Sequence, residues 1–151
     1  MNASRSVKIK ALHREHPEKF ERDLSTCNRF SSKAERALAE ALKPYGFRRH
    51  QRIRTQTLKF DVDIVSESAD VWVESDGEYH FRQVHKGHNF EASKLRDQIE
   101  ESEAVFRKVL LIRVNNQTTT IEQQVNFVLS TIASWDRVEG KVVKLGYDGL
   151  E

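Results

Sequence analysis

Phe60-Asp61-Val62-Asp63-Ile64-Val65, a short gap, then Val71-Trp72-Val73-Glu74-Ser75-Asp76-Gly77-Glu78-Tyr79-His80 is the stretch on which both fold and chemistry turn. In its first part apolar residues alternate with aspartates, the pattern of a strand with one polar face. The second part is a strand from about Asp70 to Glu74, closed off by Gly77. Each strand ends on a carboxylate, Asp63 on the first and Glu74 on the second. If the strands form a hairpin or neighbouring pair, the two acids meet at one end of the sheet. Convergent carboxylates suit Mg²⁺ or Mn²⁺, hard ions that complete an oxygen shell with water and substrate phosphate, and the Ser75 carbonyl is a candidate third ligand. Such a metal polarises a phosphodiester and lowers the pKa of an attacking water. Asp76, two residues past Glu74, points to the same side of an extended strand. His80 is placed to take the proton of that water.

Outward from this segment the periodicities change. Ser32-Lys33-Ala34-Glu35 is a capping-box pattern, followed at helical spacing by Leu38, Ala41 and Leu42 and ended by Pro44 and Gly46. Phe47 to about Val65 reads as strand, and residues 82–89 as a loop. Asn89 caps a predicted helix with an apolar stripe of Ala92, Leu95, Ile99, Ser102 and Phe106. Val109 to Val114 reads as a buried strand. Thr120 caps a last helix carrying Ile121, Val125, Val128, Leu129, Ile132 and Trp135. Ahead of all this, Val7, Ala11 and Leu12, then Pro17, Phe20 and Leu24, suggest two short helices. The expected organisation is an N-terminal helical extension over 1–30, a core over 31–136, and a tail or edge hairpin over 137–151. Helices around a mixed sheet, an α/β class, is the natural architecture.

The chain has 151 residues with eight Phe, two Trp and three Tyr, enough for one domain with one core and too aromatic for a disordered polyampholyte. Its net charge of +2 conceals a division. Residues 1–54 carry 14 Lys and Arg against 6 Asp and Glu, and residues 55–151 carry 11 against 17. Attraction to phosphate at one end and acidic metal ligands at the other explain the split; chance variation among charged helices and loops is the competing explanation. No run approaches the ~20 apolar residues of a membrane span. No secretory signal is readable at the start, and a single Cys27 fits a reducing compartment. A cytoplasmic protein without membrane partner is expected.

The motif string is similar to nucleases of the PD-(D/E)xK superfamily, particularly the branch of very-short-patch-repair endonucleases and related phage and homing enzymes. The matching positions are Glu35 in the capped helix, Asp63, Glu74-Ser75-Asp76-Gly77, His80, and Asp97 on the following helix. Leu111-Ile112-Arg113-Val114 resembles the family's closing strand. The resemblance covers about residues 30–135. It implies a restriction-endonuclease-like mixed sheet flanked by helices, and Mg²⁺-dependent hydrolysis of phosphodiester bonds in double-stranded DNA. By the same resemblance His80 serves as base, oriented by Asp97 or Asp76, and Glu35 organises the metal's outer shell. One position departs: two residues after the strand glutamate the superfamily usually has Lys, and here stands Asp76. Its role is open between a ligand, an orienting group and a sign of lost activity.

Each candidate has a plainer alternative. Glu35 is also the capping-box partner of Ser32. Asp61 shares a face with Asp63 and replaces it if the register shifts. Glu74 and Asp76 would otherwise line a hairpin end, and Asp97, off the apolar stripe, is otherwise an exposed helix position. Arg48, Arg49, Arg52 and Arg54 either contact DNA phosphates or protect an edge strand with charge. Lys94 either approaches the scissile phosphate or pairs with an acid. His85 and His88, and His13, His16 and Cys27, lack the spacing of a four-ligand zinc site. Two other function classes stand beside the nuclease: a non-catalytic DNA-binding module of the same fold, and an assembly subunit whose last helix and tail form an interface. A long recognition site would call for a homodimer or an accessory DNA-recognition protein.

Overall fold

The computed structural model describes residues 32–55 and 59–147. The two short helices expected before residue 31, with His13, His16 and Cys27, lie outside them. Helix α1 (Lys33–Leu42) starts where the Ser32 hydroxyl accepts the Glu35 N–H at 3.1 Å. A 3₁₀ turn holding Pro44 ends it, and Gly46, with φ of 86°, takes the left-handed conformation that redirects the chain. Strands β1 (Phe47–Arg54), β2 (Lys59–Ser66) and β3 (Val71–Asp76) follow as an antiparallel meander.

After a 3₁₀ turn over Glu78–His80 and a loop, helix α2 (Phe90–Phe106) carries the chain back. Strand β4 (Leu110–Asn115) can then lie parallel to β3. Asn89 caps α2 by accepting the Ala92 N–H at 3.0 Å. Thr120 and Gln123 form a reciprocal capping box at the head of helix α3 (Ile121–Ser134). The tail supplies β5 (Lys141–Leu145), an edge strand parallel to β4. The five strands lie in chain order, antiparallel on the β1 side and parallel on the β5 side. The result is the mixed sheet flanked by helices that the pattern predicts. Among the described residues, no helix is long and apolar enough to cross a membrane.

Leu38 and Leu42 of α1, Val128 of α3 and Trp135 just past α3 are buried against Ile64, Val73, Ile112 and Val114 on one face of the sheet. Ala104 of α2 joins Val65, Trp72, Val109 and Leu111 on the other. With both faces covered, β3 and β4 are buried at every position, which is why β4 reads as an unbroken apolar run. Gly140, ahead of β5, passes so close to α2 that a Cβ there would lie 2.5 Å from the Val105 Cα.

Helix α2 overturns its predicted stripe. Leu95 is 57% exposed and Phe106 82% exposed, while Glu100 and Ala104 are buried. Asp97 and Glu100 turn toward Arg113 of β4. Ion pairing, not apolar periodicity, therefore sets the helix's rotation.

Candidate active site

The β2–β3 ladder ends at the Ile64–Val73 pair. One step further, Asp63 and Glu74 stand opposite each other where the strands part, and side chains replace the ladder bonds. The Asp63 N–H donates to Glu74 Oε1 at 3.3 Å, and the Ser75 N–H donates to Asp63 Oδ2 at 2.9 Å. Backbone donors that the diverging strands would leave unpaired are thereby satisfied. The expectation that the acids meet at one end of the sheet is met by this hairpin.

Glu100 of α2 adds a third carboxyl, hydrogen-bonded to Glu74. Burial, then the charges of Asp63 and Glu100, hold the Glu74 carboxyl well above the usual carboxylate range. Burial likewise pushes Glu100 up to about 7, against the pull of the Glu74 hydrogen bond and the Arg113 charge. Three acids thus converge, and for Glu74 and Glu100 desolvation and neighbouring negative charge oppose ionisation.

Behind them lies Arg113, 2% exposed. Its Nη1 donates to both Asp76 oxygens at 3.2 and 3.1 Å, and its Nη2 to Glu100 Oε1 at 2.5 Å and to the Asp97 carbonyl at 3.4 Å. Asp76, fully buried, also accepts the Tyr147 hydroxyl from just past β5. Burial raises the Asp76 carboxyl, against the opposing pull of Arg113, His80 and Tyr147.

Gly77 and the 3₁₀ turn after β3 bring His80 back over this network. Its Nδ1 lies 2.9 Å from Asp97 Oδ2 and its Nε2 3.5 Å from Asp76 Oδ1. Burial alone would lower the imidazole pKa, but the Asp97 hydrogen bond and the charges of Asp76 and Asp97 outweigh it and raise it.

Asp63, Glu74, His80, Asp97 and Glu100 all line one cavity of about 380 Å³, with Lys59 and Arg96 as its cations. Asp76 lies beneath it rather than in it. Glu35 is buried on α1 and is not among the cavity's lining residues; its N–H donates to the capping Ser32 hydroxyl. The Ser75 N–H is committed to Asp63, and its hydroxyl accepts from Asn116 at 3.0 Å. Asp61 lines the cavity too, and its carboxylate pairs with Arg52 at 2.9 Å.

The arginine run divides by strand alternation. Arg48, Arg52 and Arg54 sit opposite Val65, Asp61 and Lys59 and share their face, whereas Arg49 sits opposite Ile64 on the other. Arg48 Nη2 donates to Gln51 Oε1 at 3.3 Å. Lys94 stands 5.3 Å over the Phe90 ring and does not line the cavity. His85 and His88 pack edge-on against Tyr79, and their Nδ1 atoms accept the Gly87 and Val84 N–H groups, so they brace the loop. Among the described residues, no group of three or more His, Cys, Asp and Glu side chains is arranged to hold a metal.

Three residues of the network were not singled out as site residues by motif. Glu100 carries a weak signal, since three residues after Asp97 is the same helix face. Arg113, a lone charge in an apolar strand, stands in the Leu111-Ile112-Arg113-Val114 run that the family resemblance matches, but the resemblance assigns it no role. Tyr147, far along the chain from Asp76, carries none. Compared with protein-family models, curated proteins and solved structures, the chain matches none of them.

Proposed function

We propose that the cavity is the active site of a metal-dependent endodeoxyribonuclease of PD-(D/E)xK type, akin to the very-short-patch-repair branch. The observation that carries this reading is the opposition of Asp63 and Glu74 at the parted end of β2–β3, with the His80–Asp97 pair in the same cavity.

The donor set fits Mg²⁺ or Mn²⁺. It is all oxygen, two carboxylates face each other with Glu100 behind, and Mg²⁺ commonly takes one or two protein carboxylates and leaves the remainder to water and phosphate. Burial and, after it, the charges of Asp63 and Glu100 hold the Glu74 carboxyl well above its usual range, and a cation there would offset both. Bound, the metal supplies Lewis acidity toward a phosphoryl oxygen and lowers the pKa of a water.

The protein's own residues do the rest. Asp63 and Glu74 would hold the ion, with their orientation fixed by the two backbone amides. Asp97 fixes the His80 ring so that it can exchange a proton at the scissile phosphate. Lys59 and Arg96 offer positive charge to the phosphate, in the role that the superfamily's usual lysine plays and that Asp76, sealed against Arg113, does not. Arg48, Arg52 and Arg54, on the Asp63 face of β1, extend the basic surface along which a DNA backbone would run.

Plasmid nicking with Mg²⁺ or Mn²⁺, wild type against Asp63→Ala, tests the reading. Metal-dependent cleavage abolished by the substitution supports it, and cleavage retained by Asp63→Ala overturns it. Salt-sensitive DNA binding without cleavage by either protein points instead to a non-catalytic module.

A further inference from the structure

We propose that His80 acts as a proton donor, an imidazolium clamped between two carboxylates, rather than as the base that its motif leads one to expect. The inference rests on the cavity being a phosphodiester-cleaving site, and it deepens that reading by fixing the direction in which His80 moves a proton.

A base needs a ring nitrogen with an open lone pair. In His80 both nitrogens face carboxylate oxygens: Nδ1 is 2.9 Å from Asp97 Oδ2, and Nε2 is 3.5 Å from Asp76 Oδ1. An ionised carboxylate only accepts, so Nδ1, hydrogen-bonded to Asp97, carries a hydrogen, and the Asp76 carboxylate at ion-pair distance favours a hydrogen on Nε2 as well. Asp76 is held in the accepting state by its other partners. Arg113 Nη1 donates to both its oxygens, and the Tyr147 hydroxyl donates to Oδ2. The charged groups facing the ring are Asp76 from β3, Asp97 from α2 and Arg113 from β4. Two carboxylates touch the ring, and the guanidinium lies behind them. The upward direction of the His80 titration, despite burial, agrees with this balance.

The two contacts are unequal, and the inequality selects the transferable proton. The Nδ1 contact is short and anchors the ring. The longer Nε2 contact, on a side chain 32% exposed and lining the cavity, leaves that N–H able to turn toward substrate. In the step, the water oxygen forms a bond to phosphorus, and the bond from phosphorus to the leaving nucleotide oxygen breaks with its electron pair on oxygen. The Nε2 proton moves to that oxygen, giving an alcohol and a neutral imidazole. The attacking water releases a proton to solvent, and His80 recovers one from solvent. Nothing is oxidised or reduced. Tyr147 is a positioning residue here, acting through Asp76.

The test is ¹⁵N NMR of the imidazoles in the metal-free full chain, with His80 assigned by comparison with His80→Gln. Both His80 nitrogens protonated at pH 7 is the expected result, with a midpoint that falls by roughly one unit or more in Asp97→Asn. A neutral, single-tautomer ring at pH 7 overturns the proposal. Asp97→Asn is the variant used because Asp76, fully buried against Arg113, is the one whose replacement threatens folding. A kinetic arm compares His80→Ala with wild type on a phosphodiester and on its analogue with sulfur as the bridging leaving atom. A donor predicts a loss of roughly 10²–10⁴-fold on oxygen that shrinks at least tenfold on sulfur; equal losses on both overturn it. A doubly protonated ring in a protein that cleaves no DNA upholds the clamp and removes the nuclease reading, so the two failures are distinct.

Discussion

Arg113 Nη2 lies 2.5 Å from Glu100 Oε1 in a contact closed to solvent, and the same guanidinium grips Asp76 on the neighbouring strand. One buried cation thus joins β4 to α2 and β3. Removing one partner of a buried ion pair leaves the others as uncompensated charge, a loss of roughly 3–5 kcal/mol. Arg113→Met is expected to lose stability of that order in urea unfolding, and Arg113→Lys to recover only part, since it lacks the planar fork. An unchanged midpoint in Arg113→Met would show that the network contributes nothing.

The acid cluster sets a pH dependence. Glu100 is raised from 4.5 to about 7, chiefly by burial, so between these values the folded state binds more protons than the unfolded one. That stability is fully present below about 4.5 and is lost as the pH rises through about 7. Metal-free protein is expected to lose roughly 1–3 kcal/mol between about pH 5 and 8, and Glu100→Gln to flatten the profile. Unfolding curves across that range decide it; stability rising with pH would contradict the assignment.

Arginines on one face of β1 predict a graded effect on DNA. Arg52 already has Asp61 as counter-ion, whereas Arg48 and Arg54 project from the same face with exposed side chains. Replacing both Arg48 and Arg54 by Ala should reduce the slope of log affinity against log salt by about 1–2, and Arg52→Ala should change it less. A slope identical to wild type would remove β1 from the interface.

Close approach at Gly140 gives a steric test. A methyl group there meets the Val105 Cα at 2.5 Å and its carbonyl at 2.6 Å, backbone atoms that cannot swing aside. Gly140→Ala should cost roughly 1–3 kcal/mol. Gly87→Ala, whose nearest neighbours are His85 ring atoms at 3.4 Å, is the comparison expected to melt close to wild type. Equal melting temperatures for the two would refute the packing argument.

Local chemistry was legible in the sequence where it is also local in space. The helix caps at Ser32, Asn89 and Thr120 follow from residue type, and alternation in β2 and β3 predicts that Asp63 and Glu74 face each other. The pairing of His80 with Asp97 follows only from the family resemblance. What periodicity misreads is α2, because it scores apolarity while that helix buries Glu100 and leaves Leu95 and Phe106 outside. A face that pairs with an arginine looks, in one dimension, like a face for water. Arg113 and Tyr147 reach the cluster from β4 and from beyond β5, and no local pattern encodes a contact of that range.

The β2–β3 hairpin is also incomplete by itself. Its turn end pairs Ile64 with Val73 and Val65 with Trp72, apolar contacts available to the isolated hairpin. Its other end gathers like charges whose counter-ion is Arg113, a residue that arrives only with β4, 37 positions after Asp76. The hairpin alone therefore holds the acids without the cation that offsets them, and only the long-range β3–β4 pairing brings Arg113 to them. The centre belongs to the whole sheet rather than to the segment that carries its motif.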